Sequence, residues 1–173
     1  MKRTIRFSLS TDSIENAIQQ IRWYKEELRY KTSIFVQRLA EIGIIVIDSH
    51  KFTEGDSDTS FEGVTSYVRL EEGSTSSKAI LYLDGKDVAF VEFGAGVHYN
   101  GSVGSSPNPN GQKFGFTIGS YGKGQGANDS WVYYDEESGK FKTSHGTKAA
   151  MPMYYAHKYM CENFARVAKE VFG

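Results

Sequence analysis

The chain has 173 residues, of which 39% are apolar, 14% aromatic and 24% charged, and its formal net charge is −1. This size suits one domain spanning 1–173 with a core of its own, and the near-neutral balance excludes a global basic field that would draw the chain onto DNA or an anionic membrane. One cysteine, Cys161, excludes an intrachain disulfide and fits a reducing cytoplasm.

The opening Met1–Arg6 is basic, but no apolar stretch of signal-peptide length follows it. No run approaches the length of a membrane span, so no transmembrane helix is expected. Ile5, Phe7 and Leu9 alternate with polar residues and predict a short first strand. Asp12 or Ser13 is expected to accept hydrogen bonds from the free amides of a helix start. That helix is expected from Ile14 to about Ile42. Ile14, Ile18, Ile21, Leu28, Phe35, Leu39 and Ile42 recur at alternating spacings of three and four, interrupted by Lys25 and Thr32. The rod would be about 43 Å long at 1.5 Å per residue. Such a stripe must lie against something. The preferred reading places it on the protein's own sheet. The alternative is a coiled-coil seam with a neighbouring chain, which the two polar seam positions disfavour.

Gly43 suits the helix end, and the β-branched run Ile44–Ile47 predicts a buried strand. Residues 51–60 are polar and acidic and read as a loop. Val64–Leu70 alternates as a strand. Lys78–Asp84 and Asp87–Phe93 predict two strands joined by a hairpin at Asp84-Gly85-Lys86. From Gly94 to Ser130 no apolar period survives, and more than half of the 18 glycines lie there with two of the three prolines. A Gly/Pro/Asn-rich connection of this length is functional or partly disordered. Phe114–Ile118 reads as a short strand within it. Trp131–Tyr134 and Lys140–Thr143 predict a second hairpin across Asp135–Gly139. A closing helix is expected from about Pro152 to Val171, with proline at its favoured start. The expected fold is α+β: a twisted antiparallel sheet of about five strands packed against a long first helix and a shorter last one.

Groups with chemical potential are scattered. Gly119–Gly126 lacks the spacing, the Ser or Thr and the following helix of a phosphate loop. Glu54, Asp56 and Asp58 lack the glycine and distal glutamate of a calcium loop. No pair among His50, His98, His145 and His157 has helical i, i+4 spacing or a close cysteine partner. Cys161 has no base placed beside it by any signature, and reads as a partly buried small side chain. Glu92 is a charge within an apolar run; a hydrogen-bond anchor for nearby loop amides is preferred over a general base. No catalytic residue, cofactor or metal ligand is therefore assigned. Aromatics interleave with cations at Arg22-Trp23-Tyr24-Lys25 and Arg29-Tyr30-Lys31. These could stack on nucleic acid, but Tyr, Trp and Arg also dominate protein interfaces, and that reading is preferred, with direct DNA contact not expected.

Two stretches carry a resemblance. Phe90-Val91-Glu92-Phe93-Gly94-Ala95-Gly96 resembles the aromatic-x-Glu-aromatic-Gly-small-Gly signature of phage tail-completion or head–tail joining (neck) proteins. A variable Gly/Pro/Asn-rich loop follows in that family, matched here by Val97–Ser130. An aromatic hairpin comes next, matched by Trp131–Tyr134 and Gly139-Lys140. The last signature is Thr-x-Gly and an apolar-Pro-apolar-aromatic helix start, matched by Thr143–Gly146 and Met151–Tyr154. The order and spacing match over 88–172. Ala95 stands where Thr is more usual and Met153 where Phe is.

The resemblance implies a virion structural subunit, assembled in the host cytoplasm and not an enzyme. It implies a homo-oligomeric ring of about six copies, closed by heterologous contacts, against a connector, tail tube or tail terminator. Interface residues expected on this reading are Phe90, Glu92, Phe93, Gly94, Gly96, Tyr99, Trp131, Tyr133, Gly146, Pro152 and Tyr154, with Trp23 and Tyr30 on the first helix. A tailocin collar would use the same subunit. The competing readings are a nucleic-acid-binding module and a small hydrolase using Glu92 with His98 or His145.

Overall fold

The amphipathic N-terminal segment forms one unbroken helix, α1 (Thr11–His50), of 40 residues and about 60 Å. The computed structural model describes residues 4–50, 64–85, 88–94, 106–115, 131–144 and 149–173. The remaining elements are β1 (Thr65–Glu72), β2 (Ser77–Asp84), α2 (Val88–Phe93), a 3₁₀ turn at Gln112–Phe114, β3 (Trp131–Asp135), β4 (Lys140–Ser144) and α3 (Pro152–Phe172). The fold is α+β as expected. The described strands form two separate antiparallel hairpins, β1–β2 and β3–β4, and not one sheet of five.

α1 runs past the end expected for it. Gly43 lies in mid-helix and Ile44–Ile47 is helical. Ala40, Gly43 and Ile47 are buried at spacings of three and four, so packing on one helical face overrides the β preference of the Ile-Ile-Val-Ile run. Thr32, a polar position in the stripe, satisfies its hydroxyl by donating to the Leu28 carbonyl at 2.8 Å. At the start of α1, Ser13 Oγ accepts the amide of Ser8 at 2.8 Å. It thereby holds the residue ahead of the helix and not a helix amide.

α3 lies antiparallel on the C-terminal half of α1. The His50 and Tyr155 rings lie 4.8 Å apart, tilted, and Phe35 meets Phe164 edge-on at 5.0 Å and Phe172 at 5.8 Å. The β1–β2 hairpin packs against the same half of α1. Ser33 Oγ donates to Glu72, and Ser66 Oγ donates to Asp48. Gly43 sits where all three elements meet. A β-carbon there would be 2.9 Å from Met160 Sδ and closer still to Leu81 Cδ2. Its conservation of space, and not helix termination, explains the glycine.

The apolar stripe of α1 is thus divided. Phe35, Leu39 and Ile42 are half-buried against α3 and the hairpin. Ile14, Ile18, Ile21 and Leu28 remain 38%, 44%, 56% and 38% exposed.

Three further expectations change. Ile5–Leu9 is irregular, with Phe7 63% and Leu9 94% exposed and no strand beside it among the described residues. Alternation alone cannot make a strand without a partner to bond. Asp84-Gly85 ends β2, but Val88–Phe93 is helical; the run is apolar except for Glu92 and carries no period of two. The true partner of β2 is β1, paired from Thr65↔Asp84 to Glu72↔Ser77 across a turn in which Gly73 N donates to Ser76 O at 2.7 Å. Phe114 lies in the 3₁₀ turn, and 116–118 fall outside the described residues. The second hairpin and the closing helix form as expected, with Lys142 salt-bridged to Asp135 across β3–β4. That ion pair and Ser138 hold the Asp135 carboxyl down at about 2.

The packing at Gly43 makes a graded prediction. Gly43→Ala gains helix propensity and displaces only the flexible ends of Leu81 and Met160, so urea denaturation should find it near neutral. Gly43→Val overfills the same junction and should cost about 1–3 kcal/mol.

Candidate functional site

α2 is short, and its backbone is fixed at both faces. Gly94, at φ 77°, closes it by donating its amide to the Phe90 carbonyl at 2.7 Å, a left-handed turn that favours glycine. The Val91 side chain is fully buried, and its carbonyl accepts the amides of Ala150 at 2.8 Å and Met151 at 3.3 Å. Glu92 is buried beside it. Oε2 accepts the Met153 amide at 2.8 Å, while Oε1 accepts the Tyr154 amide at 3.0 Å and Asn108 Nδ2 at 2.7 Å.

The amides of Met153 and Tyr154 belong to the first turn of α3, whose N–H groups have no partner within the helix. The residue ahead of the helix is Met151, which has no side-chain oxygen with which to cap and holds the left-handed conformation φ 54°, ψ 43°. Pro152 follows without an N–H. Glu92 therefore supplies the missing cap from 61 residues away. Its negative charge also sits at the positive end of the α3 dipole. The strained backbone at Met151 is held from outside by the Val91 carbonyl.

Asn108 completes the cluster. Its Oδ1 accepts the Asn110 amide at 2.9 Å, which orients Nδ2 toward Glu92. Ser106 Oγ donates to the Phe93 carbonyl at 2.6 Å, and the Phe93 and Phe114 rings lie 5.5 Å apart. Residues 106–115 are thereby fastened onto the end of α2. Sequence reading passed over Asn108; the available signal was a turn-forming Asn between two prolines.

Burial raises the Glu92 carboxyl above the ordinary glutamate value, and the Met153 and Tyr154 amides and Asn108 pull in the opposite direction. Both oxygens are engaged by N–H donors, an arrangement that holds chain segments together. It matches the anchor role preferred for Glu92.

Beside this cluster, β2 and α2 enclose an open groove of about 560 Å³. Leu81, Leu83, Val88, Phe93 and Met153 line it, with exposed Ala89 at the rim. β1 covers one edge of β2, and no strand covers the other among the described residues.

The structure brings Phe90, Glu92, Phe93, Gly94, Pro152 and Tyr154 into this one region. Glu92, Gly94 and Pro152 are buried, and Phe90, Phe93 and Tyr154 are half-buried. The first three act as internal framework and not as contact surface. Tyr133 is exposed on β3, and Trp131 lies on the same strand. Trp23 and Tyr30 are 70% and 69% exposed on α1, away from the cluster. Gly96, Tyr99 and Gly146 lie outside the described residues, as do His98, His145, Glu54, Asp56, Asp58 and the Gly119–Gly126 stretch.

His157 and Cys161 do have i, i+4 spacing, contrary to the sequence reading. Cys161 Sγ lies 3.7 Å from His157 Nε2, and the thiol is exposed, not partly buried. His50 is half-buried, with Nδ1 near the Val46 carbonyl at 2.9 Å. Among the described residues no three potential ligands gather as a metal site, and no helix is long and apolar enough to cross a membrane. Comparison with family models, curated proteins and solved structures returns no match.

The Glu92 cap makes a prediction with a sign. Glu92→Ala leaves the first-turn amides of α3 and Asn108 unpaired and should lower unfolding free energy by about 2–4 kcal/mol. Because the folded pKa is raised, the folded chain binds more protons than the unfolded one across the window between the ordinary and raised values. Stability from this group is highest below the ordinary glutamate pKa and falls as pH rises through the raised one. Urea denaturation from pH 4 to pH 8 should show this decline in the wild type, and Glu92→Gln should flatten it at lower overall stability.

Proposed function

We propose that this chain is a structural subunit of a phage or prophage-derived tail, completing the tail or joining it to the head at the neck as a ring. The observation that carries the reading is the divided stripe of α1. Contacts to α3 and the β1–β2 hairpin gather between Ser33 and His50. The preceding part of the helix, from Thr11 to Tyr30, is about 30 Å long and buries Ala17. It leaves Ile14, Ile18, Ile21 and Leu28 in solvent. An apolar stripe on a long helix is stable in water when a neighbour covers it. The seam disfavoured from sequence thus becomes the better reading for this half of the helix.

The resemblance adds the particle. Its two separated signatures, 90–96 and 151–154, meet at Glu92, which gives a physical reason for finding them together in one chain. The glutamate, the glycine that closes α2 and the proline at the helix start form one internal joint. Charge favours protein over nucleic acid as the partner. Around Trp23 and Tyr30, Glu26 pairs with Arg29 at 4.0 Å and Glu27 with Lys31 at 3.4 Å, so the cations there are partly neutralised. A heterologous contact repeated around a ring would set the helix of each subunit against the next, with tail tube, connector or terminator above and below.

Ile18 and Ile21 lie outside the packed half of α1, so the chain with Ile18→Asp and Ile21→Asp should still fold cooperatively, at a midpoint lowered only by the lost association. Light scattering should then show the assembly dissociated to monomers. An assembly of unchanged mass in the double variant would remove the stripe from the interface.

A further inference from the structure

We infer that residues 4–10 form a donor strand that adds to the free edge of β2 in a neighbouring copy and seats its apolar side chains in the groove between β2 and α2. The inference rests on the reading that the chain self-assembles, and it names the joint.

The donor is a strand in pattern without a sheet. Ile5, Phe7 and Leu9 alternate with Arg6 and Ser8, yet the segment is irregular and Phe7 and Leu9 are largely in solvent. The acceptor is a sheet edge that no strand covers among the described residues. β2 bonds β1 along one side, so alternate residues of β2 direct N–H and C=O groups toward the other side. An edge of this kind is a template for another extended segment. Three successive β2 residues, Leu81, Tyr82 and Leu83, line the groove, so it runs along the strand itself. Strand addition takes affinity from main-chain hydrogen bonds and specificity from pockets for alternate side chains. Seven extended residues span about 23 Å and the eight of β2 about 26 Å.

Charge agrees. The arm carries Arg6 and the segment before it Lys2 and Arg3. Asp84 is exposed at the end of β2, and among the described residues the groove lining contains no cation.

Reach decides between the chain's own arm and a neighbour's. Leu81 of the groove touches α1 at Gly43, which is about 48 Å along the helix from Thr11. Phe7 stands four residues before Thr11 and can travel only about 14 Å from it. The arm therefore cannot enter its own groove. Entry into the next copy's groove makes a head-to-tail contact, the kind that closes into a ring, and it carries the exposed part of α1 onto the same neighbour.

The test uses the full chain in two variants. Phe7→Ser with Leu9→Ser disables the arm and touches no core residue. Ala89→Arg blocks the groove from its exposed rim. A fluorescein-labelled peptide of residues 4–11 should bind the arm-disabled chain saturably, one to one, and at least tenfold more weakly when Ala89→Arg is added. Each variant alone should fail to assemble, while an equimolar mixture should form a dimer with a single intact joint. Absence of peptide binding, or binding indifferent to Ala89→Arg, overturns the inference; the first would also result if another segment of the same chain fills the groove. If the arm-disabled chain still assembles like the wild type, the joint falls and the assembly reading stands. If the wild type is monomeric yet the peptide binds at the groove, the recognition stands and assembly in solution falls.

Discussion

The joint at Glu92 is the constraint from which the C-terminal half of the molecule takes its order. α3 begins at a methionine and a proline, neither of which can cap it, and its first free amides would be left in a partly buried site. A carboxylate supplied from α2 satisfies two of them and adds a favourable charge at the positive end of the dipole. The same carboxylate takes Asn108, so residues 106–115 are fixed by the bond that starts the helix. α3 in turn covers the C-terminal half of α1, and the β1–β2 hairpin packs at the glycine where the two helices cross. One buried charge thus joins three segments that are distant in sequence: α2, residues 106–115 and α3. Burial raises its pKa, and three N–H donors offset part of that cost.

This joint also explains why residues expected at an interface are interior. Glu92, Gly94 and Pro152 determine how α2 and α3 meet; a neighbour would sense them only through the shape they impose. Among the described residues, the groove they frame, the outer edge of β2 and the exposed stripe of α1 stay open to contact. Among the described residues, α3 and the β1–β2 hairpin pack on the C-terminal half of α1, while the N-terminal half keeps Ile14, Ile18, Ile21 and Leu28 exposed.

The sequence disclosed the periodic elements and failed where tertiary contact overruled local preference. α1, both β1 and β2, the β3–β4 hairpin and α3 follow from period and turn chemistry. The β-branched residues of Ile44–Ile47 favour a strand, yet the spacing of Ala40, Gly43 and Ile47 marks a helical face. Val88–Phe93 was ambiguous by nature, since a short apolar run without a period fits either state. Ile5–Leu9 has a strand's pattern, but a strand requires a partner that one chain's local sequence cannot specify. Glu92 was legible as an anchor, while its partners at Met153, Tyr154 and Asn108 were not, because no local rule links residues so far apart. The approach of His157 to Cys161 follows from their i, i+4 spacing alone.

The account turns on whether the chain completes itself with copies of itself. The mass of the purified wild-type protein, followed by light scattering across a concentration series, asks this directly. The account predicts a discrete closed assembly, near six copies, that persists on dilution to the micromolar range. A strict monomer at every concentration would contradict it, because Ile14, Ile18, Ile21 and Leu28 on α1, with Phe7 and Leu9 ahead of it, would then keep the exposure they have in the single chain.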